Sequence, residues 1–151
     1  MKTVGEPQYA VGDSIPELRA PPLTRVTLAL YCGASGDHNL IHVDSDYARN
    51  IAGLDDVIGP GMLTMAWLGR LLTNWAPQQS LLEFQTRLLA PSKPGDCITC
   101  TGRITAIEEG NPRVIRLELQ AENQDGKKLA IGTAVVEYPD SSATEGVNTS
   151  A

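Results

Sequence analysis

Apolar residues in this chain change their spacing once, at Ala76-Pro77, and that change limits the folds open to it. Before it lies Met62 to Trp75, where Leu63, Met65, Ala66, Trp67, Leu68, Leu71, Leu72 and Trp75 occupy nearly every side of a helix. A helix apolar all round belongs in a core. Beyond it the period falls to two, the spacing of a strand with one buried face. Leu82, Phe84, Thr86 and Leu88 alternate with Glu83, Gln85 and Arg87. Ile98, Cys100, Gly102 and Ile104 alternate with Thr99, Thr101 and Arg103, and Ile115, Leu117, Leu119 and Ala121 with Arg116, Glu118 and Gln120. Leu129 to Val136 is apolar on both faces and is expected to be central. Turn signals at Pro94-Gly95-Asp96, Gly110-Asn111-Pro112 and Asp125-Gly126 separate these runs. The spacing predicts four antiparallel strands in a meander. Helices gathered ahead of strands indicate an α+β chain, with the sheet curling around the apolar helix.

The N-terminal half reads as lead-in and short helices. Pro7, Gly12, Pro16 and Pro21-Pro22 predict an extended start with one short edge strand. Thr24 is an N-cap for a helix over Arg25 to Cys32, with Val26, Ala29, Leu30 and Gly33 on its packed face. Gly33 to Gly36 ends it. Asp44 or Ser45 caps a second helix carrying Tyr47, Ala48 and Ile51, with Gly53 as its C-terminal glycine. Residues 1–139 form one domain, and the tail 140–151, rich in Ser, Thr, Ala and Gly, is expected to be disordered.

Several function classes fall away on charge and hydropathy. A formal net charge of -6, with Lys and Arg scattered, argues against nucleic acid and anionic membrane as partners. No segment reaches the roughly 18 to 20 apolar residues of a membrane span. With no basic and apolar leader and three cysteines, Cys32, Cys97 and Cys100, the expected setting is the reducing cytoplasm. Cys97 and Cys100 fall on opposite faces of a strand, so no metal site is expected there. Trp67 and Trp75 read as core; Arg87 and Arg103 read as solvated.

The densest polar run in an apolar half is Asp37-His38-Asn39-Leu40-Ile41-His42. A carboxylate and an imidazole held close can share acid and base duties, since histidine titrates near about pH 6.5. The same residue types also suit a plain solvated turn, and His38 reads as solvated. Gly59-Pro60-Gly61-Met62 opens the buried helix, whose first N–H groups lack internal partners and sit at its positive end. They can hydrogen-bond a carbonyl oxygen gaining charge, or the segment is simply a turn.

The run Ser35-Gly36-Asp37-His38-Asn39-Leu40-Ile41-His42-Val43-Asp44 resembles the signature of the MaoC-like hydratases and dehydratases, with Leu40 where that family usually has proline. Pro60-Gly61-Met62-Leu63-Thr64 and the stretch from Phe84 to Pro91, followed by Pro94-Gly95-Asp96, resemble two further family elements in the same order. The resemblance spans roughly residues 15–138 and implies a hot-dog fold around the helix Met62 to Trp75. It implies reversible hydration of a 2-enoyl thioester to an (R)-3-hydroxyacyl thioester on coenzyme A or acyl carrier protein. Asp37 and His42 would be the catalytic pair, Gly61 the carbonyl-binding amide, Thr64 the hydroxyl near Asp37, and Asn39 the residue that holds the loop. No cofactor is implied, because the thioester already acidifies C2. A homodimer, or a heterodimer with a related subunit, is expected. Three other readings remain open: a hot-dog thioesterase, a tunnel-shaping subunit of a heterodimer, and a binding module that does no chemistry.

Overall fold

The computed structural model describes residues 9–108, 110 and 113–138; the tail 140–151 lies outside them, as do Asn111 and Pro112 of one expected turn. The long helix forms where apolar spacing places it, over Gly61–Trp75 (α3), and buries Leu63, Thr64, Leu68, Leu71 and Leu72. Two short helices precede it, Arg25–Ser35 (α1) and Ser45–Asn50 (α2), separated by a single 3₁₀ turn at Leu40–His42. Five strands make one antiparallel sheet: Leu18–Arg19 (β1), Leu81–Leu88 (β2), Thr99–Glu108 (β3), Arg113–Glu122 (β4) and Lys128–Tyr138 (β5). The sheet packs Cys100, Ile104, Ile115, Leu117, Leu119, Ala134 and Val136 against Leu68, Leu71 and Leu72 of α3. This is the α+β arrangement of a sheet wrapped on a helix.

The expected meander holds only for β3, β4 and β5. The sheet order is β1-β3-β4-β5-β2, so β2 pairs with β5 and not with β3. Turn signals between 91 and 96 suggested a hairpin, but residues 89–98 instead cross the end of the sheet. Leu89 and Ala90 N–H groups bond Leu129 O, and the Leu23 and Ala20 N–H groups bond Asp96 O and Ile98 O. The crossover carries the chain to the far side of the sheet, where β3 pairs with the two-residue edge strand β1.

Three packing expectations change. α3 is not buried all round: Met62 is 56% exposed, and Ala66, Arg70, Thr73 and Asn74 also face out, because one sheet covers only part of a helix. In α1, Val26 and Leu30 stand in solvent and Leu28 is the buried residue, since α1 meets the second apolar cluster of Leu23, Ala48, Val57 and Leu63 along a different line. That helix also runs three residues past Cys32, to Ser35, because Gly36 at φ 73° is the residue able to take the left-handed cap. In β2 a bulge between Leu81 and Glu83 turns Leu81 inward and Leu82 out.

Gly132 tests the sheet geometry and Gly33 the helix. A Cβ on Gly132 would lie 2.4 Å from the Gln85 carbonyl oxygen, whereas one on Gly33 meets nothing within 4 Å. Gly132→Ala is expected to destabilise by about 1–3 kcal/mol through overpacking. Gly33→Ala is expected to stabilise by about 0.5–1 kcal/mol through helix propensity. Urea midpoints of the two variants read the opposite signs directly.

Candidate active site

Local hydrogen bonds shape the loop between α1 and α2. Gly36 stops α1, and the Ser35 hydroxyl both donates to Tyr31 O at 2.7 Å and accepts from the Asp37 N–H at 3.2 Å. Asp37 Oδ1 accepts from the Asn39 N–H at 3.3 Å. Asn39 Oδ1 then accepts from the Ile41 N–H at 3.2 Å and caps the 3₁₀ turn that carries His42. Leu40 opens this turn, and its carbonyl accepts from the Val43 and Asp44 N–H groups at 3.1 and 2.9 Å, so the turn forms without proline.

His42 is 7% exposed. Its Nδ1 lies 2.7 Å from Ile58 O. A carbonyl only accepts, so Nδ1 carries a proton, and in the neutral ring Nε2 presents the lone pair. Nε2 lies 3.6 Å from Asp37 Oδ2, beyond a direct hydrogen bond but close enough for both atoms to reach one shared oxygen. Asp37 keeps 40% of its side chain exposed, leaving the pair open to an incoming ligand. Tyr31 stands beside it: partial burial, and then the Asp37 charge, push its phenol up, so it remains a neutral O–H donor.

The segment Val57 to Gly61 brings the third element. The Ile58 N–H bonds Ile41 O at 3.1 Å and the Gly59 N–H bonds Ser92 O at 2.8 Å. A Cβ at Gly59 would fall 2.1 Å from Ser92 Oγ, and one at Gly61 would fall 2.2 Å from Leu88 Cδ1, so both glycines answer to close approach. α3 starts at Gly61 behind Pro60, with no side-chain cap. The Leu63 N–H bonds Pro60 O at 3.0 Å, and no side chain caps the positive end of the helix. Thr64 is buried one turn on, and no hydrogen bond joins it to Asp37 among the described residues. His38 is exposed, as a solvated turn residue would be. Among the described residues no three His, Cys, Asp or Glu side chains gather as metal ligands.

Sequence spacing did not reveal Ile58 O or Ser92, because backbone carbonyls carry no residue signature. It also missed the clamp on the 53–58 loop. Asp56 accepts from the Val57 N–H and from Arg25, while Arg25 donates to Ser45 Oγ and Arg49 donates to Asp55 O. These bonds tie α1 and α2 to the segment that holds His42.

Known proteins share this fold. The MaoC-like domain family matches residues 8–125. No curated protein matches the chain significantly. Among solved structures, the (R)-hydratase of A. caviae involved in PHA biosynthesis is 26% identical, with 89% of this chain and 100% of that one covered at a TM-score of 0.77. R-hydratase PhaJ1 of Pseudomonas aeruginosa is 25% identical, with 87% and 83% covered at 0.76. The ChsH1-ChsH2 complex of Mycobacterium tuberculosis, 23% identical with 86% and 98% covered at 0.74, shows the same fold.

The Asp56 clamp has a pH signature. The Val57 N–H, then the Arg25 hydrogen bond and charge, hold the Asp56 carboxyl below its ordinary 3.8. A lowered folded value gives stability that is full above the unfolded value and is lost as pH falls through the folded one. Wild type should therefore be more stable than Asp56→Asn at neutral pH, and the gap in urea midpoint should close below about pH 4. A gap independent of pH would remove the clamp from the account.

Proposed function

The chain belongs to the MaoC-like domain family, and from that premise we propose that it catalyses reversible hydration of 2-enoyl thioesters to (R)-3-hydroxyacyl thioesters. The observation that carries this reading is the convergence of His42 Nε2 and Asp37 Oδ2 at 3.6 Å, with the His42 tautomer set by Ile58 O. The likeness to two R-hydratases supports the reaction class.

In the hydration direction the two groups hold one water over C3 of the substrate. As the water oxygen bonds to C3, His42 Nε2 takes its proton, and the π electrons move toward the thioester carbonyl. That proton passes from His42 to the Asp37 carboxylate, which delivers it to C2 on the same face. Both groups end as they began, so one water is consumed and no electron is transferred. The Gly61 amide and the α3 dipole stabilise the enolate-like oxygen, because their partial positive charge is fixed where negative charge develops. Asn39 holds the loop that carries both groups, and the Thr64 hydroxyl one turn into α3 borders the same space. The acyl carrier is coenzyme A or acyl carrier protein, and the setting is acyl-thioester metabolism in the cytoplasm.

The working form proposed is a dimer, either of two such chains or with a related subunit. β2 is an edge strand with Leu82 and Leu88 half exposed, and Met62 stands exposed next to Gly61. A long apolar edge invites pairing, and one fold relative is a two-component complex.

Asp37→Asn is the direct test. It keeps the shape of the loop but cannot deliver the proton, so turnover of a crotonyl thioester should fall by about 10² to 10⁴-fold with the thermal midpoint nearly unchanged. Product analysis by chiral chromatography should give the (R)-3-hydroxyacyl thioester and no free thiol. A folded Asp37→Asn protein with near-normal turnover would remove Asp37 from the chemistry.

A further inference from the structure

The structure assigns Asp96, at the far end of the crossover, as a positioning residue for His42, an inference that rests on the hydratase reading for its catalytic consequence. Asp96 is 8% exposed and its carboxylate is enclosed by donors. Oδ2 accepts from the Lys93 N–H at 2.8 Å. Oδ1 accepts from Asn123 Nδ2 at 3.2 Å and Gln124 Nε2 at 3.4 Å. The two amides cannot turn over freely, because their oxygens are already engaged. Asn123 Oδ1 accepts from the Asp125 and Lys127 N–H groups, and Gln124 Oε1 accepts from the Cys97 N–H at 2.8 Å. Position 96 therefore needs acceptors on both sides and no donor. Of the side chains of this size only a carboxylate supplies that.

From Asp96 a continuous set of backbone bonds reaches the catalytic pair. The carboxylate closes the turn 93–96, which is also closed by the Asp96 N–H to Lys93 O at 3.0 Å and tied to Leu23 from both sides. The adjoining Ser92 O takes the Gly59 N–H at 2.8 Å, and Ser92 is itself 1% exposed and packed against Gly59. Ile58, the next residue, gives its carbonyl to His42 Nδ1. A turn that loosens at Asp96 shifts Ser92 O and with it the carbonyl that selects the His42 tautomer. Displacements of about 1 Å in such supports cost up to about a hundredfold in rate, because reacting atoms leave their attack geometry.

Asp96→Asn sets a side-chain NH₂ against either the Lys93 N–H or two locked amides. Pairing it with Asn123→Asp restores half of the complement: the new carboxylate keeps the Asp125 and Lys127 bonds and offers an acceptor to the introduced amide, while Gln124 Nε2 keeps only its bond to Asp125 Oδ2. Two readouts apply to both proteins, kcat and KM with a crotonyl thioester, and ¹⁵N NMR of the His42 ring, assigned with His38→Gln. In wild type the Nδ1–H tautomer should dominate. Asp96→Asn should mix the tautomers and lower kcat by about ten- to a hundredfold with KM little changed, and the double variant should recover both in part. If Asp96→Asn fails to fold, Gln124→Ala, which removes one donor, should move both readouts the same way by less. Wild-type tautomer and kcat in whichever variant folds, with only the thermal midpoint lowered, would overturn the assignment and leave Asp96 a stabiliser of the turn. Inactive wild type with a tautomer that still responds would instead indict the hydratase reading, because the NMR signal needs no turnover.

Discussion

The hydrogen bond from His42 Nδ1 to Ile58 O ties the chemistry to the fold. It fixes a proton on Nδ1, and its acceptor belongs to a segment bonded on both sides, to Ile41 and to Ser92. Loops with few buried bonds open locally at little free-energy cost. This one instead lies between the α1–α2 layer and the sheet crossover, and it runs straight into the helix that forms the core. The same few residues thus position His42, enter α3 and join the two apolar clusters. Leu63 packs in one cluster, Leu68 in the other, and Trp67 touches both.

What the sequence made legible is what side chains encode. The period change at Ala76-Pro77 placed α3 and the strands, Thr24 and Asp44 stood at their helix starts as N-caps, and Gly126 took the positive φ of a hairpin turn. The order of β2 in the sheet was not legible, because alternation says which face of a strand is buried and nothing about which neighbour it meets. Nor was the exposure of Val26, Leu30 and Met62, because period alone does not report how far a sheet reaches around a helix. Asp37, Asn39 and His42 were readable as a motif, and the structure brings Asp37 and His42 together. Their support was not readable: it consists of backbone carbonyls and of Asp56, Ser92 and Asp96, which look like ordinary turn residues in the chain.

Charge placement follows the same logic. The chain carries a net charge of -6, yet Arg25 and Arg49 both converge on Asp56 beside the segment that holds His42. Ion pairs this exposed add little stability. Their effect here is geometric: they fix the distance between two helices and the loop. Burial acts differently on Cys100, whose thiol is pushed up to about 12, leaving it a neutral packing group under the sheet.

The central claim is that Asp37 and His42 add the elements of water to one face of an enoyl thioester. Hydration run in deuterium oxide, followed by NMR of the product, reads this in one measurement. The account predicts an (R)-3-hydroxyacyl thioester with a single deuterium at C2, on the same face as the new hydroxyl. Deuterium on the opposite face, or a free thiol in place of the hydroxyacyl product, would contradict it.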